Sequence, residues 1–581
     1  MKLKTLKYTL IAAVTALSMQ SCLDLDPQDQ LGGDKMWTTA AEFKQFANNF
    51  YGWTRDFGSN DNGPHSDSRS DLVTFATPNE YSKGTNTIPT GDGNYSNNYA
   101  HIRRCNLLLQ AAENYMNKAE IAEYIGDAYF FRAYSYFELL QIFGDAIIVT
   151  EPIDVSSTQL SASRNDRLEV ARFIIEDLEK AIELLPNYAD IPANEDGHVS
   201  KEAARAFLSR VALYEGTWQK YHLNNAQASS ELLTKAASAA KAVMDGKQFY
   251  LFGTKDQSVA LGDSAQKYMF ILENEKSNPA GLQKSANHEY IFRRLHDTSL
   301  STVGLNITHG YVDNVMWVTR NFVNLYLCQD GLPIGQSKVF EGYAKRSSEF
   351  QNRDNRMKYS LLCPGQYFWT NDNPRKTWDY ATDIKPAGGN GTIYMDGHGS
   401  GYNNQKWGSE REMTDALEGY DYPVIRYAEV LLNYAEAIYE RDGSISDADL
   451  DLSLNLVRLR ANPNMPKLSN AFVSNNGLDM RTEIRRERTV ELYLEGFRVD
   501  DLKRWATAVA VMNQPLLGVK YSGTEFQSNW GSATRPNQAL DSEGCLIMDN
   551  SRKWTDKNYL YPIPSDQMQL NPNLKQNPGW E

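Results

Sequence analysis

The sequence predicts a mainly α protein, a tetratricopeptide-like stack of helices interrupted by a loop-rich lobe. Three observations predict it. From Thr39 to about Ala240, apolar residues recur at helical spacing. Between about Phe249 and Glu418, Gly, Asn, Asp and Trp become frequent, as in PAGGNGTIYMDGHGSGYNNQKWG, a composition that favours turns over long helices. Helical spacing resumes at RYAEVLLNYAEAIYERDG, where Tyr427, Leu431, Tyr434, Ala435 and Ile438 share one stripe.

At the start of the chain, Lys2, Lys4 and Lys7 precede an apolar stretch of 12 residues, Tyr8 to Met19. Crossing the hydrocarbon takes roughly 20 residues, so the stretch reads as an export signal. Met19-Gln20-Ser21 is not an A-x-A site. A small residue directly before Cys22 resembles a bacterial lipobox. On that reading residues 1–21 are a cleaved signal peptide and Cys22 carries the lipid; the alternative is a cleaved signal with an incidental thiol. Acyl chains supply ~0.8 kcal/mol per buried CH₂, and a lasting anchor takes more than one.

The helices follow in order. In NDRLEVARFIIEDLEKAIELL, Ile174, Ile175, Leu178, Ile182 and Leu185 line one face, and Asp166 with Glu169 forms a candidate capping box. SKEAARAFLSRVALYEG starts at a Ser200 cap, buries Ala204, Phe207, Leu208 and Val211, and is expected to stop near Gly216. AYFFRAYSYFELLQIFGD carries rings on nearly every face, as a helix packed between others would. Successive pairs of this kind stack as tetratricopeptide repeats do. A further helix runs through MRTEIRRERTVELYLEG, and the Pro-rich tail YLYPIPSDQMQLNPNLKQNPGW is expected to lie extended over the surface.

Composition excludes several functions. The chain has 59 basic and 73 acidic residues, a net charge of −14, and removing residues 1–21 takes away three Lys and leaves −17. That charge repels nucleic acid and anionic lipid. Some of the 33 Tyr, 11 Trp and 22 Phe must be core, but Tyr and Trp in loops also suit amphipathic, ring-shaped ligands such as sugars. Cys105, Cys328, Cys363 and Cys545 show no CxxC spacing, which argues against zinc or redox chemistry and leaves three disulfide pairings open.

Catalytic signatures fare poorly. Glu487, Glu491 and Glu495 fall at i, i+4 and i+8 on one helix, whereas a glycosidase needs carboxylates facing each other across a bond. They read as a structural ion network, with Arg485, Arg488 and Arg498 as expected partners. The eight His residues contain no HExxH, Ser400 in GHGSG lacks the G-x-S-x-G frame, and GGNG lacks the GK[ST] of a phosphate loop. SNDNGPHSDSRSD offers oxygens for a Ca²⁺ ion but not EF-hand spacing, so a solvated loop is the expectation and no cofactor is assigned.

DYPVIRYAEVLLNYAEA, IRRERTVELYLEGFRVDDLKRW and LYPIPSDQMQLNPNLKQNPGW resemble the C-terminal signatures of SusD/RagB proteins. FFRAYSYFELLQIFGDAIIVTEP, YAHIRRCNLLL and TRNFVNLYLCQDGLPI resemble earlier elements of that family, in the same order. The resemblance implies a scaffold of four tetratricopeptide-like units with a loop-rich ligand-binding lobe. It assigns 36–250 and 419–510 to the scaffold, 251–418 and 511–558 to the lobe, and 559–581 to the tail, within one domain from 22 to 581. It also implies a lipid-anchored protein on the outer face of the outer membrane, where Asp24 and Asp26 resemble surface-export tags. Such a protein captures oligosaccharide, without catalysis, as a lid on a SusC-like TonB-dependent β-barrel transporter.

Family sites draw on the loop before the I-x-x-x-N helix and on mid-chain loops. Carried over, this implies Tyr95 and Asn98 in one loop, and Tyr311, Trp317 and Arg320 in another. Trp53, Arg69 and Asp71 occupy a third early region, while Trp369, Trp378 and Trp407 lack motif support. For each ring the competing expectation is a packed core aromatic; Trp317 is the leading candidate for an exposed stacking face. Two other functions stay open at this point: a surface lipoprotein glycosidase, and a repeat protein that binds a polypeptide.

Overall fold

The computed structural model describes residues 37–58, 63–75, 79–154, 156–309, 311, 316–363, 367–368, 376–377, 399–411, 414–530 and 538–581. The lipobox with Cys22, and Trp369 and Trp378, lie outside the described residues.

The fold is a tetratricopeptide-like helical scaffold carrying a loop-rich lobe. After α1 (Ala40–Asn48) come α2 (Gly93–Asn114), α3 (Ala122–Phe143), α4 (Arg167–Leu184), α5 (Lys201–Tyr221) and α6 (Ala226–Gly246). The scaffold resumes with α7 (Tyr427–Asp442), α8 (Leu454–Ala461), α9 (Met480–Glu491) and α10 (Arg498–Arg504). Contacts join α2 to α3, α4 to α5, α6 to α7 and α8 to α9, and α3–α4 and α5–α6 pack on each other more extensively still. Residues 247–426, which separate α6 from α7, hold much of the lobe.

Local chemistry sets the ends of these helices. Asp166 accepts from Leu168 N at 2.8 Å and Ser200 Oγ from Ala203 N at 3.1 Å, so both expected caps form. Glu169 does not close a capping box; it accepts instead from the Asn165 side chain at 3.3 Å. Gly216 does not end α5, which continues to Tyr221. A methyl at Gly216 would sit 3.0 Å from Leu233 Cγ, so glycine here brings α5 and α6 together.

Four of the junctions also carry a buried Arg–carboxylate latch. Arg132 grips Asp177 with two 2.7 Å bonds between α3 and α4, and Arg167 reaches Glu215 at 2.8 Å between α4 and α5. Arg210 holds Glu429 between α5 and α7 at 2.6 and 2.7 Å, and Arg504 holds Glu436 between α10 and α7 at 2.6 and 2.8 Å. Such forks fix direction as well as distance.

The described strands form four two-stranded sheets, all antiparallel. These pair β1 (Val73–Thr74) with β3 (Trp317–Val318), and β2 (Tyr290–Arg294) with β6 (Tyr422–Arg426). They also pair β4 (Tyr367–Phe368) with β5 (Lys376–Thr377), and β7 (Leu516–Lys520) with β8 (Cys545–Asp549). Two apolar cores result, one inside the scaffold and one inside the lobe. The tail is not wholly extended: Ser565–Leu570 is helical, and Tyr561, Ile563, Leu574 and Trp580 are buried. Its backbone is tied down where Tyr561 N donates to Ile142 O at 2.8 Å and Asn577 Nδ2 to Phe143 O at 2.9 Å. Cys105, Cys328, Cys363 and Cys545 are all buried free thiols. Among the described residues, no helix is long and apolar enough to cross a membrane.

The acidic stripe of α9 is an ion network, but its partners come from other elements. Glu491 binds Arg426 at 2.7 Å and Arg356 at 3.0 Å and also pairs with Arg460; Glu487 binds Arg356 at 2.7 Å and Arg458 at 2.9 Å. Arg426 reaches on to Glu289 at 2.8 Å and Glu495 at 2.6 Å. The expected neighbours go elsewhere: Arg485 to Glu440, Arg488 to Asp501 and Arg498 to Asp71. Although burial opposes its charge, Arg460, Arg426 and Arg356 hold the Glu491 carboxyl far below the usual carboxylate range. Glu491→Ala leaves three buried guanidinium groups short of a counter-charge and should destabilise the fold by about 3–5 kcal/mol. Urea unfolding checks this, and a loss under about 1 kcal/mol would contradict the network's role.

Candidate functional site

A cavity of about 180 Å³ lies between scaffold and lobe, lined by Arg55, Asp56, Phe57, Asn94, His65 and Glu138 on one side. Tyr311, Trp407, Tyr422 and Leu494 complete it. The rings come from three segments. Phe57 meets Trp407 edge-on at 5.0 Å and Tyr422 at 5.1 Å, while Trp407 stacks on Tyr422 at 6.1 Å and 14°. Trp407 is 1% exposed and forms the floor, whereas Phe57 is half-buried and offers more of its surface. Tyr311 closes the far side and donates its hydroxyl to Gly58 O at 2.7 Å.

Two strained backbone positions lie in this floor. Trp407 and Leu494 both adopt left-handed conformations, at φ 70° and 55°. Such positions in residues with a Cβ cost on the order of 1–3 kcal/mol and persist only when the surroundings impose them. Here Trp407 Nε1 donates to Leu494 O at 3.3 Å, and the adjacent Lys406 Nζ binds Glu495 at 2.7 Å and donates to Tyr493 O. The floor is thereby strapped to the ion network at the end of α9. Lys406 is drawn down to about 8 by its burial, against the pull of Glu495.

The polar wall is equally fixed. Arg55 donates to Glu138 at 3.0 Å, to Gln141 Oε1 at 2.9 Å and to Gly496 O at 3.2 Å. His65 sits between Asp500 at 2.6 Å and Glu138 at 2.8 Å. Burial alone would raise the Glu138 carboxyl, but Arg55 and His65 draw it down to about 2. Burial and Arg55 oppose a charge on His65, yet Asp500 and Glu138 outweigh them and raise it above the usual histidine range. Asp56 accepts from His296 at 2.9 Å and faces Arg294 at 3.3 Å. A glycosidase acid must hold its proton near neutrality. Glu138 is set up in the opposite sense, as a permanent anion that orders donors around it.

Of the sequence-derived candidates, the structure brings Tyr311 and the unsupported Trp407 to this cavity. Trp317 is not an exposed ring. Its strand pairs with Val73–Thr74, its backbone bridges to Asn403, and it is 5% exposed. Arg320 is buried over the Tyr343 ring at 4.3 Å, 3.3 Å from the Tyr402 hydroxyl and 3.9 Å from Glu349. Tyr95 is buried against Phe143, and Asp71 holds Arg498 with bonds of 2.8 and 2.9 Å. Arg69 lies over Tyr81 at 3.9 Å. Trp53 stacks on His101 at 4.1 Å and 9°, half-buried against the scaffold core. Asn98 donates to Asn94 O at 2.7 Å and so supports a cavity residue from behind.

Arg55, Asp56, Phe57, His65, Asn94, Glu138 and Tyr422 were not singled out from the sequence. In the early Ser/Asp-rich segment, Asp67 accepts from Leu494 N at 2.7 Å and Asp71 is committed to Arg498. Those two acids organise the chain around the cavity.

Comparison with known proteins fits this architecture. The model of the SusD family matches residues 270–580, and one described as "Starch-binding associating with outer membrane" matches residues 23–213. SusD-like protein P2 of Formosa agariphila is 24% identical over 595 aligned positions, covering 99% of this chain and 100% of that protein. A SusD-like carbohydrate binding protein from Bacteroides fragilis superposes with a TM-score of 0.73 at 20% identity, over 93% of this chain and 99% of its own. Surface glycan-binding protein A from Bacteroides fluxus gives 0.59 at 19% identity, over 93% and 100%. With one family model spanning more than half of its length and the same helical scaffold in its structural relatives, the chain belongs to the SusD family.

Proposed function

We propose that this protein is a surface glycan receptor that binds a saccharide in the cavity between Phe57 and Glu138 and passes it to a partner transporter. One observation carries the reading: rings and fixed polar groups face each other across a space of sugar-like size. A pyranose has apolar C–H faces and equatorial hydroxyls. Phe57 and Tyr422 suit the first; Arg55, Asp56 and Asn94 supply donors and acceptors for the second. Because Glu138 and His65 are held by ion pairs, the wall is ordered before a ligand arrives, which lowers the cost of binding. The depressed Glu138 favours a binding role over hydrolysis.

The family description and the lipobox-like Ser21-Cys22 support an outer-membrane location with a lipid on Cys22. On this reading the protein faces outward and sits as a lid over a SusC-like TonB-dependent barrel.

A screen against purified starch, fructans, mannans and host glycans identifies the ligand. Phe57→Ala should then weaken binding roughly tenfold, the loss of one ring face, with the thermal midpoint shifted by only a few degrees at most. A large fall in the midpoint with unchanged affinity would place this ring outside the site. The pH response follows from Glu138. Its folded-state value of about 2 lies below the ordinary 4.5, so the charged form is the stabilised one. The contribution is complete above about 4.5 and is lost as the pH falls toward about 2. The stability that Glu138 contributes, followed by urea unfolding, should therefore stay level from neutrality to about pH 5. Cys22→Ala should release the protein from the membrane fraction and abolish acyl labelling; continued retention with label would contradict the tether.

A further inference from the structure

Outside the glycan cavity, a second cluster joins three elements of the scaffold. Glu123 lies in the first turn of α3, Glu195 ends the short helix Ala193–Glu195, and His198 follows in the turn before α5. One ligating atom from each lies within 4.8 Å of the others. His198 Nδ1 is 3.6 Å from Glu123 Oε1 and 4.0 Å from Glu195 Oε2. That nitrogen is buried and faces both carboxylates at distances longer than an ordinary hydrogen bond. The imidazole is also oriented: it stacks on Tyr51 at 4.8 Å and 26°, and the Tyr51 hydroxyl donates to Asp127 at 2.9 Å and accepts from Val199 N at 3.1 Å. A cavity of about 340 Å³, lined by Glu195, His198, Arg293 and His296, adjoins the cluster.

We propose that Glu123, Glu195 and His198 form a binding site for a divalent transition-metal ion of the Zn²⁺ class, with its remaining coordination positions reached from this second cavity. Zn²⁺ holds imidazole nitrogen and carboxylate oxygen at ~2.0–2.2 Å, which in a tetrahedron places ligand atoms ~3.3–3.5 Å apart. The observed 3.6 and 4.0 Å, in a triad whose ligand atoms all lie within 4.8 Å, require side-chain rotations that draw the atoms together by roughly half an ångström or more. The mixed donor set selects the ion, because Ca²⁺ and Mg²⁺ prefer all-oxygen shells whereas imidazole suits Zn²⁺. The Lys44 ammonium pairs with Glu195 and supplies positive charge at this place. Its side chain is 36% exposed, so it has solvent to swing into when a metal ion takes Glu195.

Titration of the full mature chain, free of affinity tags, with Co²⁺ tests the site. One equivalent should give visible d–d absorption that Zn²⁺ abolishes and Ca²⁺ does not. His198→Ala and Glu195→Gln should each weaken Zn²⁺ binding by at least about tenfold. Lys44→Ala, on a solvent-facing position, should tighten it several-fold by removing the competing cation. Absence of a stoichiometric Co²⁺ signal in the unaltered protein would overturn the proposal. So would Zn²⁺ affinity that is indifferent to His198→Ala, or weaker in a folded Lys44→Ala variant. Glycan affinity at the first cavity is a separate readout, so the two proposals stand or fall independently.

Discussion

The structure depends on keeping buried charges paired. Around Arg426 the carboxylates of Glu289, Glu491 and Glu495 meet Arg356, Arg460 and Lys406 in a region closed to water. An unpaired ion there is strongly unfavourable, so each element is held where its charge finds a partner. Arg426 ends β6 and precedes α7, Glu289 precedes β2, Glu491 ends α9, and Arg356 belongs to a short lobe helix. One network therefore sets the relation between scaffold and lobe. An apolar contact of equal size would tolerate sliding, whereas forked guanidinium bonds do not.

The same network reaches the cavity lined by Phe57, Trp407 and Tyr422. Lys406 ties Glu495 to the residue preceding Trp407, and the Trp407 indole ties back to Leu494. Two left-handed residues are thus imposed on the cavity floor by contacts outside it. On the opposite wall, Asp500 of α10 holds His65, which orders Glu138 of α3. The cavity is built where scaffold and lobe are forced together, and its polar groups are oriented by helix positions. Phe57, Tyr311 and Trp407 come from less regular chain, whereas Tyr422 begins β6, the strand that ends in Arg426.

Much of the scaffold was legible in the sequence because helix faces repeat. Ile174, Ile175 and Leu178 point inward, and Asp166 and Ser200 cap their helices, because spacing and capping are local properties. What depends on distant chain was harder to read. Glu487 and Glu491 were rightly read as structural, but their partners are separated in sequence by up to 135 residues, beyond any i, i+4 rule. Trp317 was misread because a ring in a loop-like composition looks exposed; Met316, Trp317 and Val318 form a buried apolar run paired with β1. Phe57, Tyr422 and Glu138 carry no motif. Only folding brings them to one cavity, so composition could point to an excess of rings but not to which of them line it.

The separation of α6 from α7 by residues 247–426 has a consequence for how the chain acquires its shape. In a regular solenoid each unit docks on its sequence neighbour, and order can spread from any point. Here the third unit waits for a distant partner. Closing a flexible loop of that length costs roughly 3 kcal/mol more than closing a tight turn of about four residues. Mean contact separation rises accordingly, and the collapse of such a chain is slowed. Until α7 arrives, the part of the α6 surface that α5 does not cover stays open, which makes the half-built array the stage at which a folding helper would find its target.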